Sequence, residues 1–300
     1  MARTSVAQLG PPGRIEGNPF RPMAELLRAA YSHGYGVPSF CVWNSDSVEL
    51  TLRTAARLKA PVILMSGPWE FGFTAPRELG AVARSLASLI PARAALHLDH
   101  GDSLERVEAC LAAGYSSVML DYSTRPFDEN IEGLRRAVQL ARPSGATVEG
   151  ELGLIGKVDD VTAEGSEEST LTDPAMASEF VKRTNIDALA VSIGNAHGTY
   201  TKLPRLDFGR LAKLRESTGI PLVLHGGSGT PPDDLRRAIS LGIAKVNVAT
   251  EIMNAIRGSL LADWQAGKNL WVPLAQAEAM KAAEGVLEKW IHLTGAAGKA

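Results

Sequence analysis

The sequence predicts an α/β chain folded as a (β/α)8 barrel of the TIM type, with additional helices after the last strand. Three observations carry this expectation. Eight short β-branched or apolar runs recur along the chain, amphipathic segments of helical period lie between them, and glycine closes several of those segments just before the next run. Strand alternating with helix requires parallel pairing, and eight such units fit a closed barrel better than an open doubly wound sheet.

Residues 1–20 contain Pro11-Pro12-Gly13 and no continuous apolar stretch, and they read as a loose arm without a targeting signal. Residues 21–300 read as one barrel domain with a C-terminal helical extension, since such barrels run to about 250 residues as a single unit. Arg21–His33 spaces Met23, Leu26, Leu27 and Ala30 on one helical face and stops before Gly34, which suits a helix closing the bottom of the barrel. The strand runs then fall at 37–42, 61–66, 94–99, 116–121, 146–152, 188–193, 222–225 and 244–249. Helical patterns between them cover Ser47–Leu58, Arg77–Leu89, Leu104–Ala113, Glu129–Ala141, Pro174–Thr184, Phe208–Thr218 and Pro232–Leu241. Joints such as Ala113-Gly114-Tyr115, Thr218-Gly219-Ile220-Pro221 and Leu241-Gly242-Ile243 place glycine where a helix must end and a strand begin. Gly153–Asp173 breaks the rhythm with a polar stretch carrying Gly156 and Gly165, and a long loop inside a compact unit reads as a mobile lid. Two more helical patterns follow, Glu251–Ala266 and Ala275–Trp290; the sequence leaves open whether they pack on their own barrel or on a neighbouring subunit.

The composition, 45% hydrophobic and 21% charged with a formal charge of −2, offers no bulk attraction for nucleic acid or an anionic membrane. No run approaches the roughly 18 uninterrupted apolar residues of a membrane span. Cys41 and Cys110 sit in an apolar run and a helical pattern, and without a ladder of cysteines the expected setting is a reducing cytoplasm.

In such a barrel the chemistry sits at the C-terminal ends of the strands. The ends carry Asp99 and His100 after the third, Asp121 after the fourth, Glu149 and Glu151 on the fifth, and His197 after the sixth. His225 ends the seventh, and Asn247, Thr250 and Glu251 end the eighth. Three of the six histidines on strand ends of one ring suit a zinc site with an open position. His97 alternates away from Leu96 and Leu98 as a supporting or packing residue, and His33 and His292 lie outside the ring. Gly226-Gly227-Ser228-Gly229 follows His225, and Asn247-Val248-Ala249-Thr250 precedes a helix. The loops after strands 7 and 8 are the usual barrel phosphate site, so backbone N–H groups and hydroxyls there suit an anion.

The chain resembles the class II, zinc-dependent fructose-bisphosphate aldolases, especially their tagatose-bisphosphate and related ketose-phosphate branch. The resemblance runs from about Met23 to Trp290 and rests on LHLDHG (96–101), VEGELG (148–153), GNAHGTY (194–200), LVLHGGSG (222–229) and KVNVATE (245–251). It implies that His100, His197 and His225 hold a catalytic zinc ion, and that Asp99 shuttles the proton of the substrate's C4 hydroxyl. It implies an alternative metal position at Asp121 and Glu151, and dihydroxyacetone phosphate held by Gly198, Gly226, Ser228, Asn247 and Thr250. A monovalent cation near the phosphate and a homodimer or homotetramer are further implications; the partner expected is a small-molecule sugar phosphate. The route through a lysine imine has little support, because Lys245 is the only lysine within the strand runs.

The departures cluster around the substrate. Cys41 replaces the asparagine usual in the family's first-strand pattern, although Asn44 remains, and the second run ends Ser66-Gly67-Pro68-Trp69-Glu70. Asp121 is followed by Tyr122-Ser123-Thr124-Arg125, where Arg125 suits an acidic group on the aldehyde half of the substrate. Where relatives carry a lid glutamate that moves the enediolate proton, this chain has Asp159, a shorter carboxylate. Two other readings stay open from residues alone. One is a metal-dependent hydrolase, disfavoured by the phosphate loops and by the lack of an H-x-H pair on the first strand. The other is a non-catalytic sugar-phosphate binder, against which stand Asp99 and the three histidines.

Overall fold

The computed structural model describes residues 17–156, 171–198 and 204–300. Strand and helix alternate through it as α1 (Met23–His33), β1 (Val37–Cys41), α2 (Ser45–Leu58), β2 (Val62–Ser66), α3 (Pro76–Leu89), β3 (Ala94–Gly101), α4 (Leu104–Ala112) and β4 (Ser117–Leu120). The second half runs α5 (Phe127–Ala141), β5 (Thr147–Leu152), α6 (Pro174–Thr184), β6 (Ala188–Val191), α7 (Phe208–Thr218), β7 (Leu222–Leu224), α8 (Pro232–Ser240) and β8 (Ile243–Val248), then α9 (Thr250–Gln265) and α10 (Val272–Leu293). The strands close in sequence order, each parallel to the next, with β1 paired to β8 through Val37↔Lys245 and Ser39↔Asn247.

Parallel strands covered by helices are buried on both faces, and this is why their sequences read as continuous apolar runs. β1, β2, β4 and β5 are buried from end to end. Side-chain caps set several helix starts: Asn44 accepts from Ser47 N at 3.0 Å at the head of α2, Ser103 caps α4, Asp173 caps α6 and Asp207 caps α7. Gly114, Gly219 and Gly242 all take positive φ, so the three joints expected to turn helix into strand do so.

α1 lies under the strand starts, where Arg21 N donates to Ala94 O at 2.9 Å and Ala24 N to Thr147 Oγ1 at 2.8 Å. Met23, Leu26, Leu27 and Ala30 are its buried face, as their spacing requires. α10 packs along α9 and α2 of its own barrel. Its Trp290 is buried, and the indole N–H donates to Glu251 Oε2 at 2.7 Å. Leu270, Trp271 and Leu274, around the α9–α10 turn, stand exposed. Residues 1–16 of the expected arm and 157–170 of the expected lid lie outside the described residues. No helix among the described residues is long and apolar enough to cross a membrane.

Candidate metal and substrate site

The strand ends bring most of the polar residues to one mouth. His100 has φ of +46°, left-handed backbone in a non-glycine residue, and the β3–β4 register shifts between Leu98 and Gly101. This break in the alternation lets the consecutive side chains of Asp99 and His100 line the same cavity. Holding a side-chain-bearing residue there costs about 1–2 kcal/mol, which the packed strand end must supply.

His100, His197 and His225 each present a ring nitrogen to the same point. His100 Nε2 lies 3.2 Å from His197 Nε2 and 2.9 Å from His225 Nδ1. The other nitrogens of two of them are fixed by carboxylates: His100 Nδ1 is 2.6 Å from Asp121 Oδ2, and His225 Nε2 is 2.9 Å from Glu149 Oε1. With those nitrogens directed outward, the inward lone pairs face one another, an arrangement a cation relieves. Glu151 adds to this, since its Oε2 is buried without a hydrogen-bond partner and lies 3.6 Å from His225 Nδ1. Two overlapping donor groups result, His100/His197/His225 and His100/Asp121/Glu151. Both fit a divalent cation, and the first is the nitrogen set that zinc prefers.

The electrostatics agree with the geometry. Burial works against a charge on His100, but Asp99, Asp121 and Glu151 around it raise the imidazole to about 10. A shell negative enough to hold that proton attracts a metal ion in its place. Burial, with His225 and His100 alongside, lowers His197 to about 4, and burial lowers His225 against the pull of Glu149. Burial would raise Asp99, yet His100, His225 and Lys245 hold it well below the usual carboxylate range. Burial and then the neighbouring Asp121 push Glu151 up to about 8.

Beneath the imidazoles lies a polar layer that sequence reasoning did not assemble. Lys245 Nζ, fully buried, is 2.7 Å from Glu149 Oε2 and 3.1 Å from His97 Nε2. His97 Nδ1 in turn meets Ser117 Oγ at 2.8 Å, and Asn247 Nδ2 donates to Asp99 Oδ1 at 2.9 Å. Lys245 is thus an ion-paired support for Glu149, and Glu149 orients His225. A charged residue inside the apolar run 244–249 was the available signal. His97 sits where its alternation placed it, supporting the site from below.

On the β7–β8 side, Gly226 has φ of +64°, and a Cβ there would meet Ala196 O at 2.0 Å. The loops after β6 and β7 touch at that point, so the substitution Gly226→Ala forces them apart. It is expected to destabilise the fold by about 2 kcal/mol or more, read by thermal unfolding. An unchanged melting temperature would show that the contact does not matter. Ser228 Oγ accepts from Glu251 N at 3.2 Å, and α9 begins at Thr250 with no side-chain cap on Ala249. The start of this 16-residue helix, with one N–H taken by Ser228 and the others turned toward the glycine loop's side of the mouth, suits an anion. The Gly227 N–H is already given to Asn247 O at 3.0 Å, so that residue shapes the loop and is not a donor to a ligand. Gly198, with φ of +118°, follows His197 in the facing loop.

Other expectations fall elsewhere. The Asn44 side chain caps α2 and is not among the residues lining the cavity. Arg125 is exposed, its guanidinium 3.5 Å over the Tyr122 ring, and also does not line the cavity. Asp159 lies outside the described residues. The cavity, about 400 Å³, instead has Cys41, Ser66, Gly67, Trp69 and Glu70 along its β1–β2 side. Burial and then the Glu70 carboxylate push the Cys41 thiol up, so it stays a neutral donor, 3.3 Å from Glu70 Oε1.

The class-II fructose-bisphosphate aldolase pattern matches residues 21–299. Over 275 residues, 91% of this chain and 97% of the relative, the sequence is 39% identical to the D-tagatose-1,6-bisphosphate aldolase subunit GatY of Klebsiella oxytoca. In structure it is similar to the YdjI aldolase from Escherichia coli K12, with a TM-score of 0.84, 33% identity, and cover of 94% of this chain and 99% of that one. Fructose-bisphosphate aldolase (Fba) from Campylobacter jejuni shares the fold, with a TM-score of 0.78, 21% identity, and cover of 96% and 97%. A family match along nearly the whole barrel, joined to the residues at its mouth, decides among the three readings left open by the residues alone: the chain belongs to the class II fructose-bisphosphate aldolase family and is a lyase.

Proposed function

We propose that this aldolase is zinc-dependent and reversibly cleaves a ketose phosphate or bisphosphate into dihydroxyacetone phosphate and an aldehyde. The observation that carries the reading is the convergence of three imidazoles, two of which, His100 and His197, line one cavity with Asp99 next to the start of α9. His100, His197 and His225 would hold the metal, with Asp121 and Glu151 as an alternative position. When bound, zinc supplies Lewis-acid stabilisation of the oxyanion charge that develops when a C–C bond next to a carbonyl breaks.

The chain's own residues do the rest. Asp99, kept ionised, accepts the proton of the C4 hydroxyl as the bond to the three-carbon half breaks, and Asn247 holds one of its oxygens in place. Gly198, Gly226, Ser228, Asn247 and Thr250 bind the phosphate-bearing half, with a monovalent cation nearby. Asp159 returns a proton to the enediolate. Two buried, unpaired cysteines support a reducing, cytoplasmic setting. The exposed apolar residues around the α9–α10 turn support a homodimer or homotetramer.

The test is release of dihydroxyacetone phosphate from a panel of ketose phosphates and bisphosphates, with metal content measured in parallel. Chelation is expected to abolish release and zinc to restore it, and His197→Ala is expected to lose both metal and activity. Release that survives complete metal removal, or bound zinc with no cleavage of any panel member, would refute the proposal.

A further inference from the structure

Asp121 holds the outer nitrogen of His100, and the short β4–α5 connection holds Asp121. The two Asp121 oxygens have separate tasks. Oδ2 meets His100 Nδ1 at 2.6 Å, whereas Oδ1 accepts twice from Ser123, from the backbone N–H at 3.1 Å and from the hydroxyl at 2.7 Å. The backbone bond is the usual turn of an aspartate onto the N–H two residues on, and it shapes the loop. The hydroxyl adds a second donor to an oxygen that the loop already satisfies.

The frame around this pair is fixed from several sides. Asp121 N donates to Gly101 O at 2.8 Å, next to His100, and Arg125 N donates to Tyr122 O at 2.9 Å to close the turn. The Tyr122 ring lies on α5, where a Cβ on Gly133 would meet it at 2.5 Å. Asn130, buried in the first turn of α5, gives Nδ2 to Glu151 O at 3.0 Å, so this stretch of chain reaches the other carboxylate of the second donor group as well. With the backbone held in this way, the motion left to Asp121 is rotation of its carboxylate. The Ser123 hydroxyl opposes that rotation, because turning Oδ1 away breaks a hydrogen bond to a charged acceptor. A carboxylate so held keeps Oδ2 on His100 Nδ1 and the ring's Nε2 directed at His197 Nε2 and His225 Nδ1, 3.2 Å and 2.9 Å away.

Resting on the proposed zinc site, we infer that Ser123 is a positioning residue for the metal. Acting through Asp121, its hydroxyl fixes the His100 imidazole for a cation shared with His197 and His225, and favours that position over the one at Asp121 and Glu151. The preference follows because an Asp121 with both oxygens engaged is withheld from ligating the ion itself.

The experiment uses the full chain, stripped of metal and titrated with zinc against a chromophoric chelator, with no substrate present. Ser123→Ala is expected to weaken zinc binding by about 10-fold, the lower end of what loss of an outer hydrogen-bond partner costs a metal site. The melting temperature of the metal-free chain is expected to match the parent's, since the backbone N–H of residue 123 still closes onto Asp121. Ser123→Thr, which keeps the hydroxyl, is expected to bind zinc within about threefold of the parent. Cobalt(II) loaded in place of zinc reads the position. Its visible bands are expected to weaken in Ser123→Ala, as imidazole nitrogens give way to carboxylate oxygens and more ligands, and to hold in Ser123→Thr. Parent-like zinc affinity in Ser123→Ala overturns the inference, and so does equal weakening in both variants. Weakening matched by a lower melting temperature of the metal-free chain assigns the hydroxyl to folding and overturns it too. Unchanged cobalt bands in Ser123→Ala overturn the preference between the two positions. A parent chain that takes up no zinc would instead count against the zinc site itself.

Discussion

Asp99→Asn is expected to slow aldol cleavage by about 10²- to 10⁴-fold, the usual worth of a positioned general base. The amide is nearly isosteric, and its oxygen can still accept from Asn247 Nδ2, which sits 2.9 Å from the carboxylate. The change therefore removes the proton acceptor and its charge while leaving the shape of the mouth. The loss is expected in kcat with KM little altered, because an interaction made mainly in the transition state is what disappears. Metal content measured on the same sample separates this from loss of zinc. A variant that keeps its metal and cleaves within threefold of the parent would remove Asp99 from the chemistry.

The second large effect is expected from the layer below. Lys245→Met leaves Glu149 and His97 buried without the ammonium that faces both. Breaking a buried pair from one side costs about 3–5 kcal/mol, which lowers the melting temperature of a chain this size by roughly 10 °C. Glu149→Gln removes the opposite charge, and also weakens the hold on His225 Nε2. The double variant is expected to be more stable than the sum of the two single losses, by about 0.5–3 kcal/mol, because each single change strands the other's charge. Simple additivity would show that Lys245 and Glu149 do not support one another. Weaker zinc retention in Glu149→Gln, with the barrel still folded, would separate orientation of the imidazole from stability.

The eight strands were legible because burial on both faces leaves little but apolar and β-branched residues, and His100, His197 and His225 were legible because polar groups at the ends of such runs are conspicuous. What escaped were relations between distant strands. Glu149 and Lys245 stand 96 positions apart, and nothing local to either names the other. The left-handed turn at His100 had no glycine to announce it. Asn44 shows a different ambiguity, since a polar residue after a strand is also the preferred start of the next helix, and its side chain caps α2. Arg125 lay near enough in sequence to invite a role, but Tyr122 three residues earlier offers its guanidinium a flat surface.

The pairing of β1 with β8 bears on the order of events during folding. Lys245 lies in the last strand and is hydrogen-bonded in register with Val37 of the first, so the layer under the imidazoles is complete only when the ring shuts. Loop closure over some two hundred residues is slow compared with formation of any one βα unit. Metal capture should therefore lag behind the gain of helical signal in a refolding experiment, and the interval between the two would time the closing of the ring.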